Sequence, residues 1–262
     1  MAVTINNAEI RNLQIGPTIV TDGLVSYWAA ASRLSYPRAG SVWYDLILAN
    51  RNNGSLINMS GTNFTEDAQG ALVFDGTDEY MSVPSDSSLN FDNGPFTVST
   101  WVNVSYDLGT GENYLIGKRG MGLLTDYAGW QFRTYRPSGL DTTWTLRGSL
   151  DDGSSGSYTS IINLDLNRWY MLTMTYDIYL NRIILYKNNI AAATIYFVPT
   201  LGSISNSVPV ELCGTQYLNH IDISNPTNLT KASIGSVVLY NKTLTAEEIN
   251  EQFLATKGRF EI

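Results

Sequence analysis

Acidic residues are the first candidates for chemistry in this chain of 262 residues. Two carboxylates at alternate positions of a strand project to one face, where they could act as acid and nucleophile in glycoside cleavage. The acidic pairs here are adjacent, so on a strand their side chains would point to opposite faces: Glu66-Asp67, Asp78-Glu79, Asp151-Asp152 and Glu247-Glu248. The spacing predicts a protein that is not an enzyme. Polysaccharide cleavage by carboxylates on separate strands is the weakest alternative.

Nucleophilic and zinc chemistry are limited by residue counts. Cys213 is the only cysteine and His220 is the only histidine. One residue of each type cannot supply a Cys/His zinc cage, and it excludes most Ser-His and Cys-His triads. Cys213 follows a short apolar run, which predicts a small buried side chain rather than a reactive thiol.

Calcium is the one metal for which the chain offers ligands. Asp75 and Asp78 lie in a Gly-containing turn, and Asp45 lies in another predicted turn. Carboxylate oxygens on loops are the ligands that calcium prefers, so these residues predict a structural calcium site. The alternative is that Asp75 caps the turn before Gly76 and that the others are solvated. We predict no other cofactor.

Aromatic side chains in the middle third could bind sugars. Flat rings that lie among polar loop residues can stack on the apolar faces of a carbohydrate, and the candidates are Tyr127, Trp130, Tyr135 and Trp144. The alternative places the same side chains in the core or in a subunit interface, where large aromatic residues are common. The sequence leaves both interpretations open.

Composition and charge limit the classes of partner that the protein could bind. The formal net charge is −8 and the pI is about 4.6, and Lys118-Arg119 is the longest basic cluster. These values argue against nucleic-acid binding through phosphate neutralisation. No stretch is apolar for long enough to predict a membrane span, and the N-terminus lacks the pattern of a secretory signal. The sequence predicts synthesis in a host cytoplasm, with no membrane partner.

Strands separated by Gly, Asn, Asp and Ser turns dominate the predicted elements. Residues 96–104 alternate apolar and polar side chains with period two, and residues 169–176 and 181–187 form a predicted hairpin. Further strands are expected at 24–28, 71–75, 79–83, 114–118, 129–135, 143–149, 190–197, 208–213 and 232–240. Near the end, Thr245 and Glu248 form a capping box that predicts a helix over 245–257.

Several stretches together resemble a known family. Residues 70–84, 96–104 and 234–249 are similar to the laminin-G-like, concanavalin A-like jelly roll, and so is the opening strand at 23–28. The resemblance implies an all-β, two-sheet antiparallel sandwich over residues 21–262. Ile47, Leu48 and Ala49 stand where the family's turn is richer in Gly and Ser, which weakens the case for calcium in that loop. The ending at 257–260 resembles jelly-roll proteins among tailed-phage structural proteins.

The phage resemblance leads to the main functional hypothesis. It implies a virion structural protein, either a capsid decoration or a tail component, with other virion proteins and copies of itself as partners. A lectin-like adhesin that recognises host surface glycans is the alternative. The polar arm at residues 1–20 is expected to contact a neighbouring subunit, through apolar residues that alternate in part with polar ones: Ile5, Ile10, Leu13 and Ile15.

Overall fold

A computed structural model describes most of the chain. The described residues are 19–92, 94–105, 111–119, 128–136, 142–197, 201–214 and 229–262, together with the backbone of residues 3–5 and 8–10. The strands, in chain order, are β1 Val3–Ile5, β2 Ala8–Ile10, β3 Leu24–Ala29, β4 Val42–Trp43, β5 Gly54–Ile57, β6 Phe64–Thr65, β7 Ala71–Phe74, β8 Tyr80–Val83, β9 Phe96–Val104, β10 Gly111–Arg119, β11 Gly129–Arg136, β12 Thr143–Asp151, β13 Gly156–Asp165, β14 Trp169–Asp177, β15 Arg182–Lys187, β16 Ile190–Tyr196, β17 Val210–Leu212 and β18 Ala232–Tyr240.

Two antiparallel sheets form the predicted sandwich. The front sheet has the order β13-β12-β11-β10-β17-β8-β5-β4. The back sheet has the order β16-β15-β14-β9-β18-β7-β6, and β3 also pairs with β18. Consecutive strands form hairpins toward the sheet ends, whereas the central pairs, such as β9 with β18 and β8 with β17, join distant parts of the sequence, as in a double-sheet jelly roll. The all-β fold class is therefore confirmed.

The core lies between the sheets and is rich in aromatic side chains. Trp28, Trp43, Trp130 and Trp144 are all at most 2% exposed. Cys213 is also fully buried, as predicted, and burial raises the pKa of its thiol well above the ordinary value. A thiol in this environment behaves as a small apolar side chain.

A second cluster covers the outer face of the back sheet. The helix α1, Ala246–Thr256, and the residues after it pack there, so Trp101 stacks on Phe260 with ring centroids 4.0 Å apart. Period-two alternation predicted that only one face of β9 would be buried. Both faces are covered, because the C-terminal segment lies over the face that the sequence pattern leaves to solvent. No helix among the described residues is long and apolar enough to cross a membrane.

The capping box predicted for this helix is present. The hydroxyl of Thr245 accepts from the backbone N–H of Glu248 at 3.2 Å, and the Glu248 carboxylate accepts from the N–H of Thr245 at 2.9 Å. Replacing Thr245 with alanine removes one of these bonds and should lower the free energy of unfolding by about 1 kcal/mol. Urea denaturation measures this change. Glu251→Ala, an exposed change in the same helix, is the control, and an equal effect of both substitutions would contradict the role of the cap.

The arm predicted at the N-terminus is described only in part. Strands β1 and β2 pair with each other and with neither sheet of the sandwich. Ile5 and Ile10 end these two strands, while Leu13 and Ile15 lie outside the described residues. The contact between the arm and a neighbouring subunit stays a prediction.

Candidate functional site

The outer face of the front sheet carries a band of polar side chains. Burial alternates along the whole of β12: Trp144, Leu146 and Leu150 are buried, and Arg147 and Ser149 are not. Because successive strand residues point to opposite faces, the apolar set fills the core and the polar set faces outward. Strand β11 carries Gln131, Arg133 and Tyr135 on the same face as these outward residues of β12, although Gln131 is itself only 2% exposed.

The register of the strands assembles these side chains into rows. Arg133 of β11 lies opposite Arg147 of β12, and Gln131 lies opposite Ser149. Ser149 in turn lies opposite Tyr158 of β13. Directly opposed residues on one face of a sheet are in contact range, so residues from separate parts of the sequence form one surface.

These rows enclose a pocket of about 320 Å³, which we call the front-sheet pocket. Its charged and aromatic lining residues are Glu112, Arg119, Arg133, Arg147, Asp151 and Tyr158. Three of the six are arginines, although the chain as a whole has a formal charge of −8. The pocket is therefore a local concentration of guanidinium groups on an acidic protein.

One end of the front-sheet pocket is organised around Glu112. Its carboxylate accepts from Arg133 at 2.7 Å and also from Arg147. Arg133 further donates from Nε to Gln131 at 3.1 Å, and Gln131 donates to Ser149 at 3.0 Å. This network spans β10, β11 and β12 and fixes the orientation of the two arginines.

The other end is organised around Asp151. Its Oδ2 atom accepts from Arg119 at 2.5 Å, and its Oδ1 atom accepts from the backbone N–H of Gly153 at 2.9 Å. Burial lowers the pKa of Arg119, and it also lowers the pKa of Arg133. Both guanidiniums stay charged, as arginine does in proteins, so the lowered pKa reports the cost of removing that charge from water.

Two tyrosines flank the central arginine. The guanidinium carbon of Arg147 lies 4.5 Å from the ring centre of Tyr135 and 5.2 Å from that of Tyr158. Contacts of this kind are attractive and orient both the rings and the cation. Tyr158 is 58% exposed, so one of these rings presents a large apolar surface to solvent at the rim of the pocket.

The structure places the four aromatic residues predicted to bind sugars in different environments. Trp130 and Trp144 are 2% and 1% exposed and belong to the core between the sheets, so neither indole is open for stacking on a ligand. Their positions on β11 and β12 point inward, since each alternates with an outward polar residue. Tyr135 lies beside the pocket as described above, and Tyr127 lies outside the described residues. Tyr158 takes the exposed position that sequence reasoning gave to the tryptophans.

The pocket contains two carboxylates, and their spacing bears on catalysis. Glu112 lies opposite Tyr135 and Asp151 lies opposite Gly129, so six residues of β11 separate their positions. At about 3.3 Å per residue this is roughly 20 Å along the strand direction. Glycosidases hold their two carboxyl groups about 5–9.5 Å apart. The backbone positions of Glu112 and Asp151 are thus about twice that distance apart, or more.

Two of the three aspartates of the predicted calcium site, Asp45 and Asp75, accept from N–H donors through their carboxylates. Both carboxylate oxygens of Asp45 are used, by the backbone N–H groups of Tyr27, Ile47 and Asn52 at 2.9 to 3.1 Å. Burial raises the pKa of Asp45, and these three bonds oppose that change. Such contacts are typical of a carboxylate that holds a loop together and do not resemble a cation site.

Asp75 and Asp78 are in the turn where the sequence placed them. The Oδ1 atom of Asp75 accepts from Thr77 at 2.7 Å and from the N–H of Asp78 at 3.4 Å, which is a turn-capping arrangement. Within the part of the chain that the structure describes, no group of three or more His, Cys, Asp or Glu residues could hold a metal ion. Calcium at these aspartates stays a prediction, and the donors around Asp45 and Asp75 do not favour it.

Sequence reasoning missed the arginines, and it counted Tyr158 among the sugar-stacking aromatic residues of the loops rather than on a strand. The signal was the same alternation that located the strands: in β11 and β12, every second residue is polar, and two of these residues are arginines. Arg133 and Arg147 come together only when β11 and β12 pair in the observed register. Tyr158 was assigned to a loop, because β13 is rich in Gly, Ser and Thr.

Comparison with known proteins identifies the family. A laminin-G-type model described as the concanavalin A-like lectin/glucanases superfamily matches residues 75–250, which is more than half of the chain. The comparison with curated protein sequences gives no match.

Several solved structures share the fold. The binding domain of Paraclostridial Mosquitocidal Protein 1 is 18% identical, with a TM-score of 0.61 over 88% of this chain and 52% of that one. The binding domain of Botulinum Neurotoxin serotype G is 12% identical, with a TM-score of 0.61 over 88% and 50%. A Trypanosoma rangeli sialidase in complex with sialic acid is 20% identical, with a TM-score of 0.60 over 92% and 34%. The chain thus spans from about a third to about half of these proteins.

Proposed function

Because the chain belongs to the concanavalin A-like lectin/glucanase superfamily, we propose that it is a glycan-binding domain without catalytic activity. The front-sheet pocket is its binding site. The superfamily's name covers both lectins and glucanases, so membership alone does not decide between binding and cleavage. The side chains of the pocket support binding.

The observation that carries this proposal is the combination of an exposed ring with fixed hydrogen-bonding groups. Tyr158 offers a flat apolar surface, and Arg147 lies beside it with an orientation set by its bond to Glu112. Small-molecule sites typically combine apolar contact area with a few well-positioned polar groups. A sugar ring has one apolar face and a rim of hydroxyls, which matches both features.

The state of the two carboxylates argues against catalysis. Glu112 and Asp151 are each held in ion pairs with arginine side chains of the protein itself, as is typical of structural carboxylates. Together with their separation along the sheet, this pairing supports a binding role.

Removing the exposed ring tests the proposal. Tyr158→Ala should weaken binding to the glycans that the wild-type protein retains on a glycan array by about tenfold, equivalent to about 1.4 kcal/mol of binding free energy. The melting temperature should stay within a few degrees, because Tyr158 is mostly exposed. Tyr179→Ala is the matched control, since Tyr179 is 89% exposed and does not line the pocket.

Two results would contradict the proposal. Unchanged glycan binding by Tyr158→Ala, or no binding of any glycan by the wild-type protein, would remove the front-sheet pocket as a lectin site. Release of new reducing ends from a bound polysaccharide, abolished by substitution of Glu112 or Asp151, would show an enzyme instead.

A virion location is compatible with this role and rests on the terminal motifs alone. The C-terminal segment packs on the back sheet through Phe253 and Phe260, so the ending that resembles phage proteins also has a structural role within the sandwich. Assembly with virion proteins stays a prediction. Incorporation of a tagged copy into phage particles, with and without residues 1–20, is the direct test.

A further inference from the structure

We propose that the glycan bound in the front-sheet pocket is acidic, with a carboxylate or sulfate group seated against Arg147. This inference rests on the proposed function and adds the chemical class of the ligand. It follows from which hydrogen-bonding groups of the pocket are already used and which are not.

The acceptors of the pocket's two carboxylates are occupied. The two oxygens of Glu112 accept from Arg147 and Arg133. The two oxygens of Asp151 accept from Arg119 and from the N–H of Gly153. A neutral sugar is usually held by side chains that both accept from and donate to its hydroxyls, and here each carboxylate oxygen already has a donor. At least one of the two acceptor sites on each of these oxygens is therefore already used by a donor of the protein itself.

Arg147 has donor capacity in excess of its partners. A guanidinium carries five N–H groups in a fork that matches a carboxylate or sulfate. Arg147 gives one bond to Glu112, and its buried Nε atom has no hydrogen-bond partner. Tyr135 and Tyr158 lie close to the guanidinium, and the Arg147 side chain is 30% exposed, so part of it is open to a ligand.

Burial of the neighbouring cations favours an incoming anion. The side chains of Arg119 and Arg133 are only 14% and 15% exposed, and removing their charges from water is unfavourable. An anion that enters the pocket offsets part of this cost. Glu211 on β17 lies opposite Gly117; it is 2% exposed and is not among the residues that line the pocket.

Because the whole protein is acidic, a preference for an acidic polymer over a neutral one would be evidence of a local binding site. At a formal net charge of −8 the chain repels polyanions at long range. Preference for an acidic polymer would have to come from a local site. Dextran, carboxymethyl-dextran and dextran sulfate share one backbone and differ in charge, so they form a matched set of probes.

The experiment measures binding of these three polymers to the full chain by surface plasmon resonance. The wild-type protein should bind at least one charged polymer tenfold or more tightly than dextran, and added salt should weaken that binding. Arg147→Met should reduce the affinity for the charged polymer at least tenfold. Arg168→Met removes the same charge from an exposed side chain that pairs with Asp165 outside the pocket, and it should bind as the wild type does.

The outcomes separate this inference from the proposed function. Glycan-array binding with equal affinity for all three polymers would overturn the acidic ligand and leave the lectin role intact. Equal losses in Arg147→Met and Arg168→Met would also overturn it, because the effect would then be one of overall charge. No binding of any glycan would overturn the proposed function itself. If Arg147→Met melts early, Arg147→Lys replaces it, and loss of the polymer preference with the charge retained supports bidentate recognition.

Discussion

Replacing Trp130 with alanine is expected to lower the free energy of unfolding by about 3–5 kcal/mol. The indole is 2% exposed and lies against Phe91 and Phe96, with ring centroids 6.4 Å and 6.0 Å away. Alanine would leave a cavity that the surrounding β-sheets cannot close. Urea denaturation followed by far-ultraviolet circular dichroism measures the change.

Two further variants make this result specific. The Nε1 atom of Trp130 is buried without a hydrogen-bond partner, so Trp130→Phe loses volume but no hydrogen bond and should cost much less than alanine. Tyr158→Ala, an exposed change on the edge strand β13 of the same sheet, should alter the free energy of unfolding by less than about 1 kcal/mol. A Trp130→Ala protein of normal stability that has lost glycan binding would place this indole in the binding site and contradict its assignment to the core.

The burial of Trp130 shows which property of the site could not be predicted from the sequence, namely the face of the strand on which a side chain lies. A tryptophan among polar residues fits an exposed platform and a half-buried strand equally well. Its direction depends on which alternate residues of β11 face the partner sheet. That choice is made by contacts such as Phe96 on β9, which is more than thirty residues away in sequence. The arginines of the front-sheet pocket were hidden for the same reason, since only the pairing of β11 with β12 brings Arg133 to Arg147.

The fold could be predicted further than the site. Strands such as β9, β14 and β18 carry long apolar or alternating patterns, and the helix carries a capping box, so local physics indicates each of them. Strand β13, residues Gly156–Asp165, was not predicted, because its many Gly, Ser and Asn residues are typical of loops. It forms nonetheless, because β12 offers it a complete backbone edge with which to pair.

The free energy of unfolding of the wild-type protein, measured relative to that of the Lys118→Met variant, is expected to rise by up to about 3 kcal/mol between about pH 8 and about pH 10.4. Lys118 is 2% exposed, and its ammonium donates to Ser85, to the carbonyl and side-chain oxygens of Asn206 and to the carbonyl of Val208 at 2.7 to 3.0 Å. Burial lowers the pKa of Lys118 to about 8. The Lys118 ammonium has three N–H groups and four oxygen partners in these contacts, and none of the four belongs to a carboxylate. Neutral oxygens do not fully replace the hydration of a buried charge.

The sign of the effect follows from proton binding in the two states. An unfolded lysine titrates near about pH 10.4, so between about pH 8 and 10.4 the unfolded chain holds a proton that the folded chain has released. Stability therefore rises with pH in that window, and the cost of the buried charge is greatest below it. Methionine has a similar length and no charge, so tyrosine titrations cancel in the difference between the two proteins. A difference in unfolding free energy that stays flat from pH 7.5 to 10.5 would mean that the four oxygens solvate the ammonium as well as water does.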